Sequence, residues 1–394
     1  MLAKRIVDMT PSATSMLMGK IADLRASGID IIGFNVGEPD FPTPEPVVSS
    51  CCSALKDGHT KYVGVGGIQA LREEVCKKLE RDNGLHYTPA QICISTGAKQ
   101  ALYNAVMTLC DPGDEIIVPK PCWVSYVEMI KLAGGVPVLV ETNDDFSLNT
   151  ANIQAAVTEK TKAILINSPN NPTGAVYDRE SILRLGEIVV QHDLYVISDE
   201  IYEKLIYGTA EHVSIASVSN ELYQRTVVIN GFSKAYSMTG WRIGYSASSP
   251  ELAKAITGLQ SHITSNSTSF VQYAAITALQ TCEQDIKTMA QAFRERRDYM
   301  YQRLNQIPGI TCKCPQGAFY LMPQVGYYIG KHAGEKKMSS SMDLCNYLLE
   351  TAHVATVPGE AFYMPNTIRF SYSTSLEEIK RGMDQMEAAL AELR

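Results

Sequence analysis

AILINSPNNPTGAVYDRESILRLGEIVVQHDLYVIS, residues 163–198, decides the fold. It opens on AILIN (163–167) and closes on LYVIS (194–198), two short apolar runs, with a helical pattern at 179–191 between them. A continuous apolar run of strand length suits a strand covered on both faces, where neither side meets water. Strand, crossover helix and strand together make the unit of a parallel sheet.

Working outward, the same alternation runs from about 90 to 250. Further strand candidates are 91–95 (QICIS), 115–118 (EIIV), 136–140 (VPVLV), 226–230 (TVVIN) and 242–246 (RIGYS), with a helix at 98–110. The expectation is an α/β domain on a mostly parallel seven-stranded sheet, with its ligand beyond the carboxyl ends of the strands. After 270 the pattern changes to one or two long helices (270–305). Strands near 317–322, 353–357 and 367–372 follow, with helices at 341–351 and 375–392. That reads as a smaller α/β domain. The early segment has a helical stretch before GEPDFPTPEP and closes no domain alone, so it is expected to pack on the C-terminal part. The resulting division is an N-terminal arm joined to the small domain (1–45), a large domain (46–280) and a small domain (281–394).

Composition narrows the function. Among 394 residues, 35 are Lys or Arg and 42 are Asp or Glu, and the net charge of −7 argues against nucleic acid as the main partner. The N-terminus has no apolar core of signal-peptide length, and no 18-residue apolar stretch suggests a membrane span. The expected location is the cytoplasm. The ten cysteines make no CxxC and no disulfide ladder. They read as small buried hydrophobes in a reducing compartment, and no metal site is expected.

Four segments that follow predicted strands carry the chemistry. Ser95-Thr96-Gly97-Ala98-Lys99-Gln100 places small residues at a helix start, where backbone N–H groups can approach an anion. An ordinary tight turn would use the same residues. Asn167-Ser168-Pro169-Asn170-Asn171-Pro172-Thr173-Gly174 freezes a loop with two prolines and offers fixed amides. Ser198-Asp199-Glu200-Ile201-Tyr202 puts a carboxylate at the end of a buried strand, which is costly unless a positive partner or a helix cap meets it. Gly231-Phe232-Ser233-Lys234-Ala235-Tyr236-Ser237-Met238-Thr239-Gly240-Trp241-Arg242, between two strands, sets a lysine amid Phe, Ser, Ala and Tyr. Desolvation there would free its amine as a nucleophile.

These residues resemble fold-type-I pyridoxal-phosphate enzymes, in particular class I aminotransferases of the bacterial aspartate aminotransferase branch. The likeness runs nearly end to end, through PSAT (11–14), GEPDFPTP (37–44), KYVGVGGIQALRE (61–73), GAKQAL (97–102), WVSY (123–126), NSPNNPTGAVY (167–177), SDEIYE (198–203), SKAYSMTGWRIGY (233–245) and RFSYS (369–373). The resemblance implies pyridoxal 5'-phosphate held as a Schiff base on Lys234, which also moves the proton. Asp199 would pair with the pyridine nitrogen, Tyr202 and Asn171 with the ring oxygen, and Trp123 would stack on the ring. Gly97, Ala98, Lys99 and Arg242 would hold the phosphate, joined by Tyr62 from a second subunit of a homodimer. Arg369, Asn171 and the Gly37 backbone would clamp the substrate α-carboxylate, beside Trp123, with Lys99 and Thr14 toward the distal end. One departure stands out: relatives often carry Ser or Thr three residues before the lysine, where this chain has Gly231. Ser233 is the alternative donor to the phosphate.

The implied activity is transfer of an amino group from an L-amino acid to a 2-oxo acid such as 2-oxoglutarate, by a ping-pong cycle. Aspartate is the favoured donor, with aromatic amino acids and prephenate open. The rivals are a C–S β-lyase on the same cofactor and a non-catalytic cofactor-binding regulator.

Overall fold

The computed structural model describes residues 2–7, 9 and 13–394, with side chains for all of these except 4 and 13–18. Its centre is a seven-stranded sheet. In chain order the strands are β1 Ile92–Ser95, β2 Glu115–Lys120, β3 Val136–Glu141, β4 Thr161–Asn167, β5 Tyr195–Asp199, β6 Thr226–Gly231 and β7 Gly244–Ala247. In space they run β1-β7-β6-β5-β4-β2-β3. All pairings are parallel except those of β7, which lies antiparallel to both neighbours. Every residue of β1, β6 and β7 is buried, as their apolar runs require.

β7 reverses for a local reason. A parallel return needs a crossover, usually a helix, and the connection 232–243 contains none. That connection carries Lys234 and Arg242. It also corrects one expected boundary: the sequence starts this strand at Arg242, but Arg242 has φ 54° and the strand begins at Gly244. The missing Ser or Thr at 231 has a packing reason too. Gly231 pairs with Gly244, and a Cβ on Gly231 would lie 2.9 Å from the Gly244 Cα.

The helices Ala98–Leu109 and Arg179–Gln191 fall where the pattern puts them. The span 270–305 resolves into two helices, Ser269–Thr281 and Glu283–Gln306. In the C-terminal part, Val357–Pro358, Ile368–Ser371 and Tyr320–Leu321 form an antiparallel sheet. The expected strand at 353–357 is two short ones, because Val354–Ala355 pairs instead with Ile32–Gly33, in parallel. The N-terminal segment is thus tied by backbone bonds to the C-terminal part. One apolar cluster joins Ile32 and Phe34 to Phe293, Phe319, Phe370 and Met383. No helix among the described residues is long and apolar enough to cross a membrane.

Candidate active site

The carboxyl ends of β4, β5 and β6 bring their loops to one side, where a cavity of about 510 Å³ opens. Gly37, Ala98, Lys99, Trp123, Asn171, Asp199, Tyr202, Ser233, Lys234, Arg242 and Arg369 all line it. Gly97 caps the helix that begins at Ala98, beside the cavity. Tyr62 lies outside the lining and is 90% exposed. The side chain of Thr14 lies outside the described residues, as does Ser12.

One wall is built for an anion. Gly97 has φ 81°, and a Cβ there would meet Arg242 Nη2 at 2.6 Å. Only glycine leaves room for the guanidinium against this helix start, whose first-turn N–H groups have no partner within the helix. Arg242 Nη1 is held by the Thr239 carbonyl at 2.8 Å.

The floor holds Asp199, 3% exposed. Its Oδ2 accepts from the Tyr126 hydroxyl at 2.7 Å and its Oδ1 from the Ile201 N–H at 3.2 Å. Burial pushes its proton affinity up to about 6, with those two hydrogen bonds opposing. Facing it, Lys234 Nζ donates to the Gly37 carbonyl at 2.6 Å and lies 5.9 Å from the ring centroids of Tyr202 and Phe319. Burial lowers Lys234 to about 8, against the pull of Glu38. The result is an amine that is easily freed for nucleophilic work. The Tyr202 hydroxyl is 2.9 Å from that of Tyr320. Trp123 lies edge-on to Tyr126, with centroids 5.4 Å apart.

Arg369 forms the other wall and is 3% exposed. Nη1 donates to Asn171 Oδ1 at 3.1 Å and Nη2 to the Asn35 carbonyl at 2.7 Å, while Nε has no partner among the described residues. Its guanidinium lies over Tyr320 at 4.6 Å and Phe362 at 4.9 Å. All these partners are neutral. A buried cation so served calls for an anionic ligand. Asn171 is itself fixed, its N–H donating to Asn167 Oδ1 at 2.8 Å. Lys99 is at the rim, 3.3 Å from Ser125 Oγ and 4.5 Å over Trp123. Partial burial, with Arg242 nearby, lowers its proton affinity.

Sequence reasoning missed Tyr126, Tyr320 and Asn35. Tyr126 stands in WVSY, three residues after Trp123, and that spacing was the available signal. Tyr320 and Asn35 carry no comparable mark. Their places depend on how the C-terminal part folds onto the sheet.

A buried lysine of lowered proton affinity, a buried carboxyl and an arginine packed on a glycine-capped helix start meet at the mouth of this sheet, and the fold is the α/β fold of type I. Solved structures agree over the whole chain. An aspartate aminotransferase from Rhizobium meliloti superposes with TM-score 0.96 at 38% identity, covering 100% of both chains. One from Thermus thermophilus with maleate gives 0.93 at 39%, covering 99% of both. The family model described as aminotransferase class I and II matches residues 29–386. The aspartate aminotransferase of Geobacillus stearothermophilus is 48% identical, and that of Bacillus subtilis 45%, each alignment covering 98% of both chains. A probable aspartate/prephenate aminotransferase of Aquifex aeolicus is 44% identical, covering 100% of this chain and 99% of its own. The chain belongs to the class I and II aminotransferase family and is an aminotransferase. The family works with pyridoxal phosphate.

Proposed function

We propose that this chain moves the amino group of a dicarboxylic amino acid, aspartate first, to a 2-oxo acid such as 2-oxoglutarate, with pyridoxal 5'-phosphate in the cavity around Lys234. The observation that carries the reading is Arg369, a buried cation with neutral partners and an orphaned Nε, sharing one cavity with Lys99. With Lys234 and Arg242 given to the cofactor, two of the cavity's four cations remain for a substrate with two carboxylates.

The cavity's own residues fit the cofactor. Gly97 leaves the room that a phosphate and Arg242 need, and Asp199 supplies a buried carboxyl for a protonated ring nitrogen. Lys234 would hold the cofactor and move the proton at the substrate α-carbon. Ala98 and Lys99 would give backbone N–H groups to the phosphate, and Ser233, 7% exposed at the cavity wall, a hydroxyl. Tyr202 and Asn171 would hold the ring oxygen, and Trp123 would cover the ring face. Arg369, with Asn171 and the Gly37 backbone, would grip the α-carboxylate as a planar fork. Bound there, pyridoxal phosphate supplies an electron sink for charge left on the α-carbon. Tyr62, so exposed in one chain, would complete the phosphate site of a second copy, making the working unit a homodimer in the cytoplasm. The cavity would lie between a large domain (46–280) and a small one formed by 281–394 with the arm 1–45.

Prephenate fits the same pair of cations, because it too has two carboxylates. Trp123, Leu102 and Val36 in the lining would meet its apolar body.

Borohydride reduction of the loaded protein, followed by peptide mapping, tests the cofactor assignment. The label is expected on Lys234, and a label on any other lysine rejects it. Mixing the loaded protein with single amino acids and following its visible band tests the substrate. Aspartate should bleach the band at lower concentration than alanine or phenylalanine.

A further inference from the structure

Behind the cavity floor lies a second group of charges that the reaction does not touch. The turn after β5 has two faces. Asp199 and Tyr202 point into the cavity, while Glu200 and Glu203 point the other way, into the protein. There Glu203 meets Lys78, with side chains 6% and 4% exposed. Lys78 donates to Glu203 Oε1, and so does Asn230 Nδ2 at 2.8 Å, while Asn83 Nδ2 donates to Oε2 at 2.8 Å. Nearby, His212 Nε2 stands 3.1 Å from Glu200 Oε2.

Glu203 is therefore a node. Lys78 and Asn83 belong to the helix Gln69–Asn83. Asn230 belongs to β6, and its Oδ1 accepts from the Gly231 N–H at 2.7 Å, at the start of the connection that carries Lys234. The carboxylate ties together the turn with Asp199 and Tyr202, the strand end leading to Lys234, and an outer helix. Burial disfavours its charge, but Lys78 and His212 outweigh that and hold Glu203 below the ordinary carboxylate range. Glu200, Glu203 and His212 could suggest a metal triad. Lys78 already supplies the cation such a set would demand.

We propose that Glu203 is a positioning residue for amino transfer: through Lys78, Asn83 and Asn230 it sets where Asp199 and Tyr202 stand relative to Lys234. This rests on the roles assigned above to those three residues. A carboxylate bonded to three donors, two on one helix and one on a strand, resists displacement, and small misplacements at a reacting centre are costly in rate.

The test uses the loaded enzyme with Glu203→Gln, Lys78→Met and the double variant. Each single change strands a buried partner and should lower Tm. The double removes both charges and should recover most of that loss. Positioning predicts that the double still shows kcat down about tenfold or more, KM within about threefold, and a displaced pH midpoint of the cofactor's visible band. A double variant with wild-type kcat and midpoint overturns the proposal and leaves the pair a structural tie. Should the double fail to fold, Asn83→Ser removes one donor and keeps the ion pair. A kcat reduced about threefold with unchanged KM supports the proposal, and unchanged kcat overturns it. Borohydride labelling of the wild type is independent: a label away from Lys234 sinks the reading of the site rather than the role of Glu203.

Discussion

Tyr126 donates its phenolic hydrogen to Asp199 Oδ2 at 2.7 Å, between two buried side chains at the cavity floor. That bond lowers the proton affinity of a carboxyl that burial raises. Tyr126→Phe should therefore raise it further. If Asp199 works as an anion, the acid limb of kcat/KM against pH moves to higher pH, and kcat/KM at neutral pH falls about tenfold, the order of one charged hydrogen bond. An acid limb that stays in place, with unchanged rate, removes Tyr126 from this role.

Asp199 also makes a prediction about stability without cofactor. Its folded-state value is about 6 against an ordinary 3.8, so the folded chain binds the proton more tightly than the unfolded one. The stabilisation from that proton is present below the unfolded value and is lost as pH rises through about 6. Asp199→Asn keeps the shape without the charge. At pH above 7 the cofactor-free variant should be more stable than wild type by roughly 2–3 kcal/mol, with the gap closing toward pH 4. Denaturant unfolding of both proteins across that range is the measurement, and a gap independent of pH contradicts it.

Lys234 should announce its lowered value in the rate of cofactor capture. The free amine is the nucleophile, and burial brings it to about 8 from an ordinary 10.5. The rate at which the cofactor-free chain takes up pyridoxal phosphate should rise with pH and level off above a midpoint near 8. Stopped-flow absorbance follows it. A midpoint near 10 would mean that the amine is not desolvated before the cofactor arrives.

The sheet was legible because its strands are buried on both faces. AILIN and LYVIS carry no polar residue until their ends, and the helix between them fixed a parallel pairing. The reversal of β7 was not legible. It depends on a left-handed Arg242 and on a connection too irregular for a crossover helix, neither of which leaves a periodic signal. Ordered motifs marked the cavity residues that follow strands directly, such as Asp199, Lys234 and Asn171. Tyr320 escaped notice because it reaches Tyr202 only through long-range packing, across 118 positions of chain. Glu203 closes SDEIYE with no mark of its own role. Its partners Lys78 and Asn230 are far from it in sequence, and a buried ion pair shows no local pattern.

The proposed choice of a dicarboxylic substrate can be tested at Lys99. Its backbone lies at the helix start beside Gly97, while its ammonium is at the rim on Ser125 and Trp123. Those partners are neutral and the contacts are exposed, so little holds the ammonium back from a distal carboxylate. A flexible ammonium meets such a group as a point charge. Lys99→Ala should cut kcat/KM for aspartate by roughly 10–1,000-fold, the range for losing a charged hydrogen-bond partner. Phenylalanine should lose much less, because the grip proposed for Arg369 on the shared α-carboxylate is left in place. The rival role is electrostatic support of the phosphate alongside Arg242. That role predicts equal losses for both amino acids, together with weaker cofactor binding. Measuring kcat/KM for the two substrates and the cofactor Kd, in wild type and Lys99→Ala, separates the two. Equal losses would leave aspartate without a partner for its second carboxylate and would turn attention to the aromatic wall formed by Trp123.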